Sequence, residues 1–187
     1  MHKTPTLTVI IPTYNEEGYI EDALKSVAFA DEIILIDSFS EDATVLLATP
    51  LVSKVISREF DNFSNQKNEA LKQAKGQWVL FLDADERVSK SLEKEIINTI
   101  ENSVHSGYKI NFPHFYMNRF LYNHSDDVLR LVKREGAYYM GEVHEKLQCQ
   151  GSVGKLKNKM LHYTYKDLHS YLTKKERYAW FQAKQQY

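Results

Sequence analysis

Short apolar runs alternate along the first half of the chain with segments of helical spacing. Residues 7–11 are a β-branched run stopped by Pro12, residues 32–36 and 52–56 repeat the pattern, and residues 78–82 are apolar on both faces. That last run suits a central strand covered on both sides by helices. Between the runs, Ile20, Ala23, Leu24 and Val27 recur at helical spacing over 17–28. The turn 37–44 opens a short helix before Pro50, and Ala70, Leu71 and Ala74 give one face to a helix over 64–74 that Gly76 stops. Strand and helix alternating in this way predict an α/β fold with a mostly parallel central sheet, flanked by helices through right-handed crossovers.

Beyond residue 86 the rhythm changes. Ser89 or Ser91 is placed to cap a helix striped with Leu92, Ile96, Ile97 and Ile100. Residues 107–112 read as a strand, and 113–124, rich in aromatic rings, as an irregular loop that shapes a binding surface. Short strands are expected at 128–132, 138–140, 143–147 and 160–165, forming a smaller mixed sheet. From 167 onward a helical stripe of Leu168, Tyr171, Leu172, Tyr178 and Phe181 runs out without a stop signal, as a truncation would, or an end that leans on a partner or membrane.

Composition changes this picture little. Hydrophobic residues make up 43% and charged residues 26%, ordinary for a globular chain. No apolar run approaches the ~20 residues of a membrane span, and the start lacks an apolar signal core, so a cytoplasmic protein is expected. Cys149 is the only cysteine, which excludes an internal disulfide. Net charge is −1, but from Lys155 onward it is +6 and before that −7. The basic tail, with Lys174, Lys175 and Arg177 beside Tyr178, Trp180 and Phe181, reads equally as a helix against an anionic membrane face or as a solvated helix. No nucleic-acid partner is expected.

The candidate chemistry lies where residues 78–82 run into Asp83, Ala84, Asp85 and Glu86. The carboxyl edge of an open α/β sheet is its ligand crevice, and Asp83 and Asp85, two apart on one side of a strand, are placed to converge on a cation. Oxygen ligands suit Mg²⁺ or Mn²⁺, with the remaining positions left to water or phosphate. The competing account of such a spacing is a solvated turn. Neither a G-x-G-x-x-G nor a Walker-type loop is present.

Four motifs in order supply the context: residues 9–17 (Val-Ile-Ile-Pro-Thr-Tyr-Asn-Glu-Glu), 36–44 (Ile-Asp-Ser-Phe-Ser-Glu-Asp-Ala-Thr), Gln66-Lys67-Asn68 and Leu82-Asp83-Ala84-Asp85-Glu86. In this arrangement the chain resembles family-two glycosyltransferases of the GT-A fold. Residues 141–145 and 161–165 are similar to the branch containing lipopolysaccharide core glucosyltransferases. The resemblance implies a nucleotide-sugar donor, UDP-linked as first choice, and a glycan or glycolipid acceptor. It implies that Thr13, Tyr14, Asn15 and Glu17 line the nucleotide, that Asp37 lies near base or ribose and Lys67 beside base or diphosphate, and that Asp83, Ala84 and Asp85 hold the metal diphosphate. Many relatives carry two adjacent Asp after the second strand, whereas Asp37 is followed by Ser38, which leaves the base open.

Inverting transfer needs a carboxylate base from the second half. Glu145 is favoured beside His144, with Glu142 the alternative; His144 or His162 is otherwise a further metal ligand or a structural histidine. One domain is expected: a donor half over 1–100, an acceptor half over 101–165 and a basic aromatic helix over 166–187. The rivals are a nucleotide-sugar-binding module without catalysis and a phosphatase or receiver-like domain. Glu86-Arg87-Val88 counts against the latter, which wants Ser or Thr soon after the acids.

Overall fold

The computed structural model describes residues 6–116, 119–141 and 145–163. Four parallel strands, β1 (Leu7–Thr13), β2 (Glu32–Asp37), β3 (Lys54–Ser57) and β4 (Trp78–Phe81), stand in the order β3-β2-β1-β4. Helices α1 (Ile20–Ser26), α2 (Thr44–Ala48) and α3 (Phe63–Gln73) connect them. Every residue of β2 and β4 is buried, as their unbroken apolar runs require of strands covered on both faces. Val9, Ile11, Leu35 and Leu80 pack with Ile20 and Leu24 of α1 on one side, while Ile10, Ile34, Val79 and Phe81 pack with Ala70 and Leu71 of α3 on the other.

Gly76 is more than a helix stop. A Cβ there would lie 2.6 Å from the backbone nitrogen of Thr8, so only glycine lets the chain enter β4 against β1. Thr8 also closes a buried polar chain: its Oγ1 donates to Glu32 Oε2 (2.6 Å) and accepts from Gly76 N (2.9 Å).

The second half continues the same sheet. β5 (Glu86–Val88) and α4 (Lys90–Glu101) follow β4, then β6 (Gly107–Tyr116), β7 (Arg119–Lys133), β8 (Tyr138–Met140), β9 (Lys146–Gln148) and β10 (Val153–His162). The eight-stranded order is β3-β2-β1-β4-β7-β6-β10-β5, and the smaller sheet is the antiparallel pair β8-β9. Ser89, not Ser91, caps α4 by accepting from Leu92 N. Helix α1 starts later than its periodicity suggests, because Tyr19 N and Ile20 N both bond to Glu16 O in a preceding turn.

Where described, at 113–116 and 119–124, the aromatic stretch is not an irregular loop but strand, paired in the β6-β7 ladder with Phe115 opposite Phe120. Aromatic side chains favour strands, and Pro113, which cannot donate to a ladder, sits where the register shifts. Residues 143–144 and 164–187, with the expected tail helix, lie outside the described residues. Among those described, no helix is long and apolar enough to cross a membrane.

Candidate active site at the carboxyl edge of the sheet

Two loops leave the carboxyl ends of β1 and β2 and hold each other. Asp37, buried at the end of β2, accepts from Thr13 Oγ1 (3.1 Å) and from Ser40 N (2.8 Å). Ser40 Oγ accepts from Asn15 N, Asn15 Oδ1 from Glu41 N, Asp42 Oδ2 from Glu17 N, and Glu17 Oε2 from Ala43 N. Asn15 and Phe39 both sit at positive φ, 55° and 58°. Asn tolerates that conformation, whereas for Phe it is strained and held by its surroundings. Thr13, Asn15, Glu17 and Asp37 are thus gathered at one edge with half-buried Tyr14, but the side-chain oxygens of Asn15 and Glu17 serve first to fasten loop to loop.

Asp83 and Asp85 share no strand face. β4 ends at Phe81, and the acids lie in the turn before β5, closed by Glu86 N bonding to Asp83 O and Asp83 N bonding to Glu86 Oε2 (both 2.9 Å). They consequently meet different cations. Arg130 Nη2, from β7, reaches Asp83 Oδ2 at 2.8 Å and the fully buried Glu86 Oε1 at 2.7 Å. Burial alone would raise the Asp83 carboxyl, but the charges of Arg130 and Lys67 outweigh it and hold the group below the usual carboxylate range. Burial pushes Glu86 up to about 8, with Arg130 opposing the rise and Asp83 adding to it. Asp85 lies 3.3 Å from His162 Nε2, at the end of β10. Burial disfavours the imidazolium, but the Asp85 hydrogen bond and nearby carboxylates raise His162 above the ordinary histidine value. Ala84 is buried beside them, its carbonyl accepting from Arg87 Nη1, while Arg87 Nη2 reaches back to Tyr19 O.

Lys67, projecting from α3, binds Glu145 Oε1 at 2.9 Å and lies 4.9 Å from the centre of the Tyr139 ring. Its side chain is only 6% exposed. Burial would lower the ammonium, but Asp83, Tyr139 and Glu145 more than compensate, so it stays a cation paired with Glu145. Asn68 pins Tyr139 in place, donating to its carbonyl and accepting from its N–H. The fold therefore brings Lys67, Glu145 and Asp83 into one electrostatic group, with Asp85 and His162 on the same acidic turn. Glu142 and His144 lie outside the described residues.

Sequence reasoning missed Arg130 and gave Glu86, though part of the acidic tip, no role of its own. A lone Arg inside Val128-Leu129-Arg130-Leu131-Val132 was the available signal, since a guanidinium in an apolar strand requires a carboxylate partner.

No group of three or more metal-ligating side chains occurs among the described residues. Asp85 and His162 nevertheless supply one oxygen and one nitrogen within reach of a common ion. Mg²⁺ commonly takes one or two carboxylates and fills its shell with water and phosphate, so the Asp85 carboxylate fits such an ion, and His162 could join it as a ligand of Mn²⁺ only after giving up its proton.

A doubly covered parallel sheet with an acidic turn and paired loops at its carboxyl edge is the GT-A arrangement, and the family model for glycosyl transferase family 2 matches residues 8–163. The chain belongs to that family. The lipopolysaccharide core biosynthesis glycosyltransferase LpsC of Rhizobium meliloti (strain 1021) is 26% identical over 197 residues, covering 96% of this chain and 71% of that protein. Crystalline TarS 1–349 of S. aureus in complex with UDP-GlcNAc superposes with a TM-score of 0.52 and 29% identity, over 61% of this chain and 36% of that one. Glucosyl-3-phosphoglycerate synthase from Mycobacterium tuberculosis, crystallised with Mn²⁺ and UDP, gives a TM-score of 0.51 at 24% identity, over 58% of this chain and 44% of that one, a likeness of fold. The chain spans about a third of the length of several curated relatives that it matches.

Proposed function

We propose that this chain transfers a sugar from a nucleotide-diphosphate sugar, UDP-linked as first choice, to a hydroxyl of a glycan or glycolipid, with inversion at the anomeric carbon. The observation that carries this reading is the ion pair of the buried Lys67 ammonium with Glu145, beside the acidic turn at the carboxyl edge of the sheet. The TarS complex supports UDP, and the likeness to LpsC over 96% of this chain supports an acceptor in lipopolysaccharide core or another surface glycan. Residues 1–100 would hold the donor and 101–165 the acceptor.

In the transfer, the acceptor oxygen bonds to the anomeric carbon as that carbon's bond to the diphosphate oxygen breaks, its electron pair leaving with the diphosphate. Glu145 takes the hydroxyl proton, and Lys67, bonded to Oε1, fixes which way that carboxylate faces. Asp37, already braced by Thr13 and Ser40, is preorganised to accept from base or ribose. Asp85 and His162 would hold Mn²⁺ or Mg²⁺, which would meet the charge developing on the leaving diphosphate.

The test pairs two variants of the full chain, with UDP binding by calorimetry and turnover of UDP-glucose and UDP-GlcNAc as readouts. Asp85→Ala should remove the Mn²⁺-dependent part of UDP binding. Glu145→Gln should keep UDP binding and lower turnover, hydrolysis included, by about 10²–10⁴-fold. UDP affinity indifferent to EDTA in wild type and Asp85→Ala would refute the metal role. A product that keeps the donor's anomeric configuration would refute single displacement.

A further inference from the structure

Phe39, in the loop that leaves β2, is costly twice over. Its φ of 58° is a conformation that a bulky side chain adopts only under strain, and one that glycine would take freely. Its ring is also 60% exposed, so little of that cost returns as packing.

The conformation is held from both sides. Ser38 N donates to Thr13 O (3.0 Å), and Ser38 Oγ accepts from Gln66 Nε2 (2.6 Å). Ser40 N donates to Asp37 Oδ2 (2.8 Å), and Ser40 Oγ accepts from Asn15 N (2.9 Å). Residue 39 is therefore clamped between fixed neighbours, and the exposed ring stands on a rigid mount. Strain that the surroundings maintain in this way clusters at ligand sites.

Strand order says which part of a donor reaches that loop. On the sugar-transfer reading the diphosphate lies at the acidic turn after β4, and β2 stands two places away, beyond β1. Two strand spacings are roughly 10 Å. The anomeric carbon is bonded to the diphosphate, so the sugar stays near the turn. It is the nucleoside that extends along the sheet edge towards buried Asp37 and the loop beyond it. A base is also the part of such a donor that gains most from an aromatic face.

We propose that the Phe39 ring stacks on the nucleobase of the donor, while Asp37 accepts from ribose or base edge. The presence of a nucleotide rests on the sugar-transfer reading. Every base has a π-face, so Phe39 supplies affinity for the nucleoside, not choice among bases.

The experiment titrates UDP, GDP, ADP and CDP, each with Mn²⁺, into the full chain by calorimetry and carries forward the nucleotide that binds most tightly. Intermolecular NOEs should join the Phe39 ring to the base protons of that nucleotide. Phe39→Gly should weaken its binding about tenfold while the melting temperature holds or rises, because the strain relieved offsets the freedom glycine gives the unfolded chain. Phe39→Leu, apolar but without a ring, should lose as much binding, and Phe39→Tyr should keep it. Pyrophosphate, which carries no base, should bind wild type and Phe39→Gly alike. Nucleotide affinity unaltered in Phe39→Gly or in Phe39→Leu, base protons without NOEs to the ring, or pyrophosphate affinity that falls along with the nucleotide's would each overturn the proposal alone. If none of the four nucleotides binds the wild type, the sugar-transfer reading fails first and this proposal falls with it.

Discussion

Thr8 on β1 and Asn111 on β6 are both polar residues buried within a strand, yet their surroundings treat them differently. Thr8 uses its hydroxyl twice, toward Glu32 and Gly76, inside a parallel sheet covered on both faces. Asn111 uses its NH₂ twice and leaves its oxygen unanswered beside exposed Ser125 and Asp127. Where helices seal both faces, a buried polar group can only be satisfied from within the protein. Toward the outer strands that closure is less complete, and a buried acceptor is left without a donor among the described residues.

The sharpest way to break this comparison is to remove the cation that joins the two regions. Arg130 comes from the outer hairpin but answers Asp83 and Glu86 of the inner edge. Arg130→Leu should cost about 3 kcal/mol, because it takes the charged donor from the Asp83 carboxylate and leaves the buried Glu86 carboxyl without its partner. Urea denaturation measures this, and a loss under about 1 kcal/mol would show that water readily replaces the guanidinium.

A milder change probes the sealed region alone. Thr8→Val keeps the shape of the side chain but strands the Gly76 N–H, so a loss of about 1–3 kcal/mol is expected from the same measurement. A neutral outcome would mean that Gly76 finds another acceptor and that satisfaction inside the sheet is less strict than the geometry implies.

The smallest effect belongs to the open face. Bonds from Lys155 and Asn111 hold Asp127 below its usual value of 3.8. A depressed folded-state value means stability that is present above the unfolded value and lost as pH falls through the folded one. Wild type should therefore exceed Lys155→Ala by under about 1 kcal/mol at pH 5, and the gap should shrink below about pH 3. A gap that widened on acidification would reverse the assignment.

The same division marks what could be read from the chain. β1, β2 and β4 were legible because burial on both faces leaves apolar runs without interruption, and Asp83, Asp85, Lys67, Glu145 and His162 were singled out before any geometry was known. The joining of Asp85 to His162, and of Lys67 to Glu145, depends on how elements far apart in the sequence pack together and leaves no local mark. β5 was invisible for a related reason. Three residues beginning Glu86-Arg87 look like a charged loop, and they are a strand only because β10 arrives beside them. The hairpin over 107–133 was obscured by Pro113, whose usual meaning as a strand breaker is cancelled by the register shift it occupies.

That dependence of β5 on β10 has a kinetic side. Strands β1 to β4 and their helices come from one continuous stretch that ends at Phe81. The partner of Glu86–Val88, and the imidazole that meets Asp85, come from the far end of the described chain. During synthesis a nascent chain would therefore carry its acidic turn for some time before His162 existed to meet it. In the finished protein the β5-β10 seam should be among the first to open, and amide exchange there should slow when UDP and Mn²⁺ are added.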